Sequence, residues 1–320
     1  VVTPLRIAFF GTPAFALATL ERLVRSTHEV DVVVTQPDRP SGRGLRVRPG
    51  PVKSFALDHN LPLLQPDQVR DDAFLAAFAD RHVDLAVVAA YGRILPSSLL
   101  AMPRLGTINV HASLLPRWRG AAPVHRAILA GDAETGVTIM RVVPALDAGP
   151  MLARIRTPIG QTETSAALEE RLAALGAELL VATVDRLSTG AIPEEPQNDA
   201  DATYAARLRR ADSRLDWERP ARDVHNRIRG LQPWPVATVL LRGRRLRLFG
   251  SDIAGESDVG KPPGTVVHVR AGAFIVACRP GGVAISRVQL EGRAPLSSPE
   301  FVQGHRLIAG ERLDPLPIDS

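Results

Sequence analysis

Residues 6–35 read RIAFFGTPAFALATLERLVRSTHEVDVVVT. The stretch opens with a short apolar run, Arg6–Phe10, that stops at Gly11 and predicts a first strand. Thr12 is of a type that caps helices, and Pro13 is of a type that opens them. Phe15, Leu17, Leu20 and Leu23 then mark the buried side of the helix that follows. Val30–Thr35, dominated by valine, predicts a second strand. Strand, glycine turn, helix and strand in that order make a βαβ unit. The first half of the chain is therefore expected to be α/β, built on a Rossmann-like, mostly parallel sheet. The turn after the first strand is not GxGxxG, and no GxxxxGK[ST] occurs, so neither a dinucleotide nor a P-loop nucleotide is expected.

Directly after the second strand comes QPDRPSGRGLRVRPGPVK, residues 36–53. It holds four prolines, three glycines and five basic residues against the single acid Asp38. No helical or strand period survives there, which predicts a long loop at the ligand-binding end of the sheet. Structureless loops this long inside a domain are usually functional. Arg39, Arg43, Arg46 and Arg48 would let it grip a polyanion.

Further along, 52–60, 71–81 and 123–130 read as helices, and 85–90, 107–111, 137–143 and 151–158 as strands. Residues 165–187 form a long amphipathic pattern with Leu168, Leu172, Leu175 and Leu179 on one face. The polar, proline-bearing stretch GAIPEEPQNDAD (190–201) reads as the start of a linker, giving a first domain over 1–189 and a linker over 190–206. Beyond it, short apolar runs at 237–241, 245–249, 264–269, 273–277 and 283–288 alternate with Gly/Pro turns. They predict a smaller C-terminal β-barrel domain, OB-like, over 207–320.

Chemistry concentrates in GTINVHASLLPRWRGAAP, residues 106–123. Alternation along the strand puts Asn109 and His111 on one face and Ile108 and Val110 on the other. Two polar side chains at the end of an apolar strand sit where open α/β sheets bind ligands. Asp147 lies in the glycine-bearing loop PALDAGP after the 137–143 strand, which is read as parallel; loops after parallel strands converge on one rim, so Asp147 is expected to meet this pair there. A carboxylate fixes the tautomer of an adjacent imidazole, and an Asn amide is a fixed donor for an oxyanion. An acid–base pair with an oxyanion donor and no activated nucleophile suits direct acyl or one-carbon transfer. A Ser113–His111–Asp147 hydrolase triad is disfavoured, because GxSxG is absent and a serine two residues from its base has no elbow to expose it. A metal site from His111, His125 and Asp147 lacks any HExxH or thiolate cluster, so no metal is expected.

Composition narrows the class further. The 320 residues carry a formal net charge of +5. The excess is confined to residues 204–320, where 19 basic residues face 12 acidic ones, as befits a surface for phosphate backbones. No apolar run reaches membrane-spanning length, and VVTPLRIAFFGTP has no secretion-signal pattern. A cytoplasmic protein with no membrane partner is expected. The single cysteine, Cys278, lies beside the apolar run 274–277 and is expected to be core.

The motifs FFGTP, TQPDRPSGRG, GTINVHASLLPRWRGAAP, ETGVTIM, LDAGPML, TYAARL, RLDW and QPWP together resemble the folate-dependent formyltransferases. The QPDRP-SGRG loop and the basic second domain resemble those acting on methionyl-tRNA. The resemblance runs through nearly the whole chain. It implies a formyltransferase of translation initiation that uses 10-formyltetrahydrofolate as co-substrate and methionyl-initiator tRNA as acceptor. It implies a catalytic set of Asn109, His111 and Asp147, a folate pocket lined by Ser113, Leu114, Leu115 and Pro116, and tRNA contacts from Arg39, Arg43, Arg46 and Arg48. Tyr91 and Gly92 are placed at the border of the pterin pocket, although their spacing equally fits a plain strand-to-helix turn. The chain departs from the family pattern at Ala112, where many members have glycine, and at DAGPM in place of DTGDM. Neither change removes a reacting group. A monomer is expected.

Overall fold

The computed structural model describes residues 2–41, 46–255, 261–270 and 272–317. The chain divides into two compact units. One comprises Val1–Pro123, Thr135–Thr157 and Glu169–Ala205, and the other Val124–Glu134, Pro158–Leu168 and Ala206–Ser320.

The first unit is built on a seven-stranded sheet. Its spatial order is Met151–Pro158, Glu134–Arg141, Thr107–His111, Leu85–Ala89, Arg6–Gly11, Glu29–Val34 and Leu63–Leu64. Arg6–Gly11 is flanked on both sides by parallel neighbours, as the βαβ reading of 6–35 requires. It is buried from Ile7 to Gly11, because helices cover both faces of such a sheet. Under one face, Phe10 packs edge-on to Tyr91 (ring centroids 5.5 Å apart) and against Phe78 (5.6 Å). The long helix Ser165–Thr189 buries Leu172, Leu180, Val184 and Leu187, whereas Leu175 and Leu179 are only partly buried.

Two local expectations are corrected. Thr12 does not cap the first helix, which begins with Pro13 as its N-cap; the Thr12 hydroxyl instead accepts from the Gln36 N–H at 3.2 Å. The 36–53 segment is not structureless. Pro40–Ser41 pairs antiparallel with Arg46–Val47, and a helix starts at Pro51 because proline suits a first helical position. The Lys53 ammonium bonds to Asp38 and holds its carboxyl below the usual carboxylate range, which ties down the base of this segment. Residues up to Ala205, within the stretch read as a linker, group with the first unit. Glu195 bridges Met151, and Tyr204–Ala205 runs parallel to Arg119–Gly120.

The second unit carries a curled antiparallel sheet, which bears out the barrel-like reading. Its order is Val266–Val269, Phe274–Ala277, Gly282–Leu290, Arg244–Ala254, Thr238–Leu241 and Leu313–Pro315, with Leu296–Ser297 added on Gly282–Leu290. Thr265 bridges Arg312, and the Val266 N–H donates to Glu311 O at 2.8 Å, so the two ends of that order meet. Leu296–Ser297 and Leu313–Pro315 escaped sequence reading because strands of two or three residues carry no period.

Cys278 is buried in this unit, and desolvation pushes its thiol up to about 12. The thiol therefore stays protonated in the folded chain well above the pH at which an unfolded one ionises, about 8.5. Iodoacetamide at pH 8 is expected to spare the native protein and to label it rapidly in urea. Between about pH 9 and 12 ionisation stabilises only the unfolded chain. The urea midpoint should therefore fall as pH rises through that window, and a Cys278→Ala variant should lose this part of the dependence.

Candidate functional site

The Thr107–His111 strand lies between Leu85–Ala89, which is parallel to it, and Glu134–Arg141, which is antiparallel. Register sets Asn109 opposite Val88 on one side and Met140 on the other. Ile108 and Val110 are buried in the core, so Asn109 and His111 share the opposite face. Asn109 is half-buried, and among the described residues its carboxamide has no hydrogen-bond partner. His111 is buried.

After His111 the chain folds tightly back. The Ser113 N–H donates to His111 O (2.9 Å) and the Ser113 hydroxyl to Arg117 O (2.6 Å). Thr138 Oγ1 donates to Ser113 O and accepts from the Leu115 N–H. The Leu115–Pro116 peptide is cis. Trp118 then adopts φ 63°, a left-handed conformation that costs a bulky residue about 1–2 kcal/mol. Its backbone carbonyl meets His111 Nε2 at 2.9 Å. A carbonyl only accepts, so Nε2 carries the proton of the neutral ring and Nδ1 is bare.

Asp147 faces that nitrogen, with Oδ2 3.7 Å from His111 Nδ1. This is longer than a hydrogen bond, in the range where catalytic pairs often stand before substrate tightens them. The same Oδ2 accepts from the Gly120 N–H at 2.7 Å. Two glycines make the approach possible. A side chain at Gly149 would place its Cβ 1.9 Å from the Arg141 carbonyl, and Gly120 stands at φ 112°.

Asn109, His111 and Asp147 are thus brought together, but not for the reasons read from the sequence. Glu134–Arg141 is antiparallel to the His111 strand and pairs Arg141 with Ile108, so the Asp147 loop leaves from the far end and folds back. The imidazole tautomer is set by the Trp118 carbonyl rather than by Asp147. Neither the Trp118 carbonyl nor the Gly120 N–H was legible in the sequence, because backbone groups carry no side-chain signature. Among the described residues no group of three His, Cys, Asp or Glu could hold a metal ion.

The other predicted residues divide. Ser113 and Leu115 are buried, Leu115 against Met140 and Met151, so any ligand contact from them runs through their backbone. Leu114 and Pro116 are partly buried. The Tyr91 ring lies in the core on Phe10, burial pushes its phenol up, and its backbone carbonyl accepts from Gln36 Nε2 at 2.6 Å. Gly92 is exposed at φ 78°. Arg39 and Arg48 are exposed and have no side-chain partner among the described residues. Arg43 and the side chain of Arg46 lie outside what the structure describes.

The second unit holds a different kind of site. Arg210, Arg245, Arg247 and Trp234 line a cavity of about 130 Å³. Trp234 is 53% exposed, and the three guanidinium groups have no partner among the described residues. Arg245 and Arg247 fall on one face of their strand by alternation. Unpaired cations around an exposed indole suit a phosphate backbone with an unstacked base. Sequence reading saw the charge excess but not its focus, which depends on the Trp234 loop meeting this strand.

Comparison with known proteins fits this geometry. Residues 5–184 match the family described as Formyl transferase, and 207–306 match Formyl transferase, C-terminal domain. Among solved structures of similar fold, HypX from Aquifex aeolicus in complex with tetrahydrofolic acid has a TM-score of 0.65 at 19% identity. That alignment covers 94% of this chain and 48% of HypX. The N-formyltransferase of Helicobacter canadensis has a TM-score of 0.68 at 16% identity, over 88% of this chain and 98% of its own.

Sequence relatives are more specific. The methionyl-tRNA formyltransferase of Methylobacillus flagellatus is 46% identical over 96% of this chain and 99% of its own length. That of Pelobacter propionicus is 47% identical over 96% and 95%. The chain therefore belongs to the methionyl-tRNA formyltransferase family.

Proposed function

We propose that the protein transfers a formyl group from 10-formyltetrahydrofolate to the α-amino group of methionyl-initiator tRNA. The observation that carries the reading at the level of chemistry is the unpartnered Asn109 amide beside a buried His111 whose Nδ1 faces Asp147. This donor set fits a formyl oxygen that gains negative charge as an amine attacks its carbon.

In this reading the methionyl ammonium first gives up a proton, and Asp147 is the nearby acceptor. The amine nitrogen then bonds to the formyl carbon, and the carbonyl electrons move to oxygen. The Asn109 amide N–H and the Nδ1–H of a protonated His111 hold that oxyanion. The attacking nitrogen, cationic once bonded, passes its surplus proton to the folate nitrogen. Collapse then restores the C=O bond and breaks the bond from carbon to that folate nitrogen, while the proton first taken by Asp147 is released to solvent. The products are formylmethionyl-tRNA and tetrahydrofolate. Leu114, Pro116, Gly92 and the Ser113 and Leu115 backbone flank the folate side.

The tRNA is held by charge. Residues 1–189 act as the catalytic domain and 207–320 as the tRNA-binding domain, with Arg39, Arg43, Arg46 and Arg48 reaching the acceptor end. Arg245, Arg247 and Trp234 add a contact within the second unit. The protein works as a monomer in the cytoplasm, where charged tRNA is found. Among the described residues no helix is long and apolar enough to cross a membrane.

Purified protein given 10-formyltetrahydrofolate and methionyl-initiator tRNA should yield formylmethionyl-tRNA, and absence of product would overturn the reading. In that assay Asn109→Ala and His111→Ala should each lower turnover by about 10²–10³-fold, the cost of a lost oxyanion donor. Retention of near-normal turnover in either would remove it from the catalytic set. The pair Arg245→Ala and Arg247→Ala should raise KM for tRNA with kcat little changed. In a log–log plot it should also flatten the salt dependence by about 0.7–0.9 for each phosphate that is no longer neutralised. The pair Arg39→Ala and Arg48→Ala should act in the same direction.

A further inference from the structure

We infer that Gln197 is a positioning residue for the transfer reaction, acting through Asp147. The inference rests on the catalytic role proposed for Asp147. Gln197 lies in the stretch whose composition suggested a linker, yet its side-chain nitrogen donates to two backbone carbonyls of the Asp147 turn. These are Asp147 O and Gly149 O, each at 2.8 Å. The orientation of the amide is not free. Arg119 Nε–H donates to Gln197 Oε1 at 3.0 Å, which forces the NH₂ end toward the turn. Arg119 is itself buried, and its Nη2 donates to Asp199 Oδ1 at 2.7 Å.

The turn needs this support. Asp147 stands at φ 48°, a left-handed conformation that aspartate adopts more readily than most residues but less readily than glycine. Two carbonyls gathered on one amide hold the backbone there, and the Gly120 N–H holds the carboxylate. Arg119 and Gly120 are adjacent, so one two-residue strand fixes the turn twice, through Gln197 and through its own backbone. That strand is in turn paired with Tyr204–Ala205, a few residues beyond Gln197. Residues 197–205 thus strap the Asp147 turn and the Arg119–Gly120 strand into one register, and that register sets the 3.7 Å gap to His111. A primary amide that gives both hydrogens to neighbouring carbonyls has no isosteric substitute. Methionine fills the space without donors, and glutamate keeps the Arg119 bond but presents oxygens to carbonyl oxygens.

The test uses the full-length protein in the formyl-transfer assay, with Gln197→Met, Asp147→Asn and the double variant. Gln197→Met should lower kcat by about 10²-fold, the scale of a misplacement near 1 Å, with KM for both substrates within twofold. Because Gln197 acts through Asp147, the double variant should lie within about threefold of Asp147→Asn alone. A purely structural role would instead multiply the two losses. Wild-type kcat in Gln197→Met, multiplied losses in the double variant, or a change confined to KM would overturn the inference. If Gln197→Met fails to fold by circular dichroism, Gln197→Glu takes its place under the same criteria. A wild-type protein that transfers no formyl group would instead overturn the functional reading.

Discussion

The hydrogen bond from His111 Nε2–H to the Trp118 carbonyl organises the site. It commits one ring nitrogen as a donor and leaves the other, Nδ1, facing Asp147. The bond exists because the chain after the Thr107–His111 strand doubles back within seven residues and turns left-handed at Trp118. The packing beneath stabilises that conformation. Ser113, Leu115 and Thr138 lock the turn from below, and Thr203 accepts from the Trp118 N–H. Charge at the site is then a matter of what stands opposite Nδ1, and that is Asp147.

The parallel part of the sheet and the antiparallel addition do different jobs. The parallel strands supply a buried, rigid platform whose ligand-binding end carries Asn109 and His111. The antiparallel hairpin of Glu134–Arg141 and Met151–Pro158 supplies a loop free to fold back, at the cost of a left-handed aspartate and a glycine that tolerates no Cβ. The strap from Gln197 to Ala205 closes this arrangement. The second unit is organised differently, as a curled sheet whose arginines gather around Trp234. The Asn109–His111–Asp147 cluster and the Trp234 arginine cluster thus belong to separate compact units.

Much of this was legible in the sequence. Residues 6–35 encode a βαβ unit because burial on both faces demands apolar runs of the right length. Alternation at 107–111 is enough to put Asn109 and His111 on one face. Side-chain types alone could not say that Ser113, Leu115 and Tyr91 turn inward, since small, apolar and aromatic residues suit a pocket wall and a core equally well. Nor could they show that Asp147 arrives from an antiparallel strand, because strand direction leaves no mark on composition. In the 190–206 stretch most polar residues are exposed, whereas the Gln197 side chain bonds to the backbone of the Asp147 turn, and in the sequence it looks like any solvent-facing glutamine.

The neutral His111 ring is held with its proton on Nε2, against the Trp118 carbonyl, and with a bare Nδ1 facing Asp147. Nitrogen NMR of the protein labelled with ¹⁵N-histidine, with the His111 signals assigned by their loss in His111→Gln, reads the tautomer directly. At a pH where the ring is neutral, an Nε2 signal of the protonated type and an Nδ1 signal of the bare type are expected. A proton found on Nδ1 in the neutral ring would contradict this assignment.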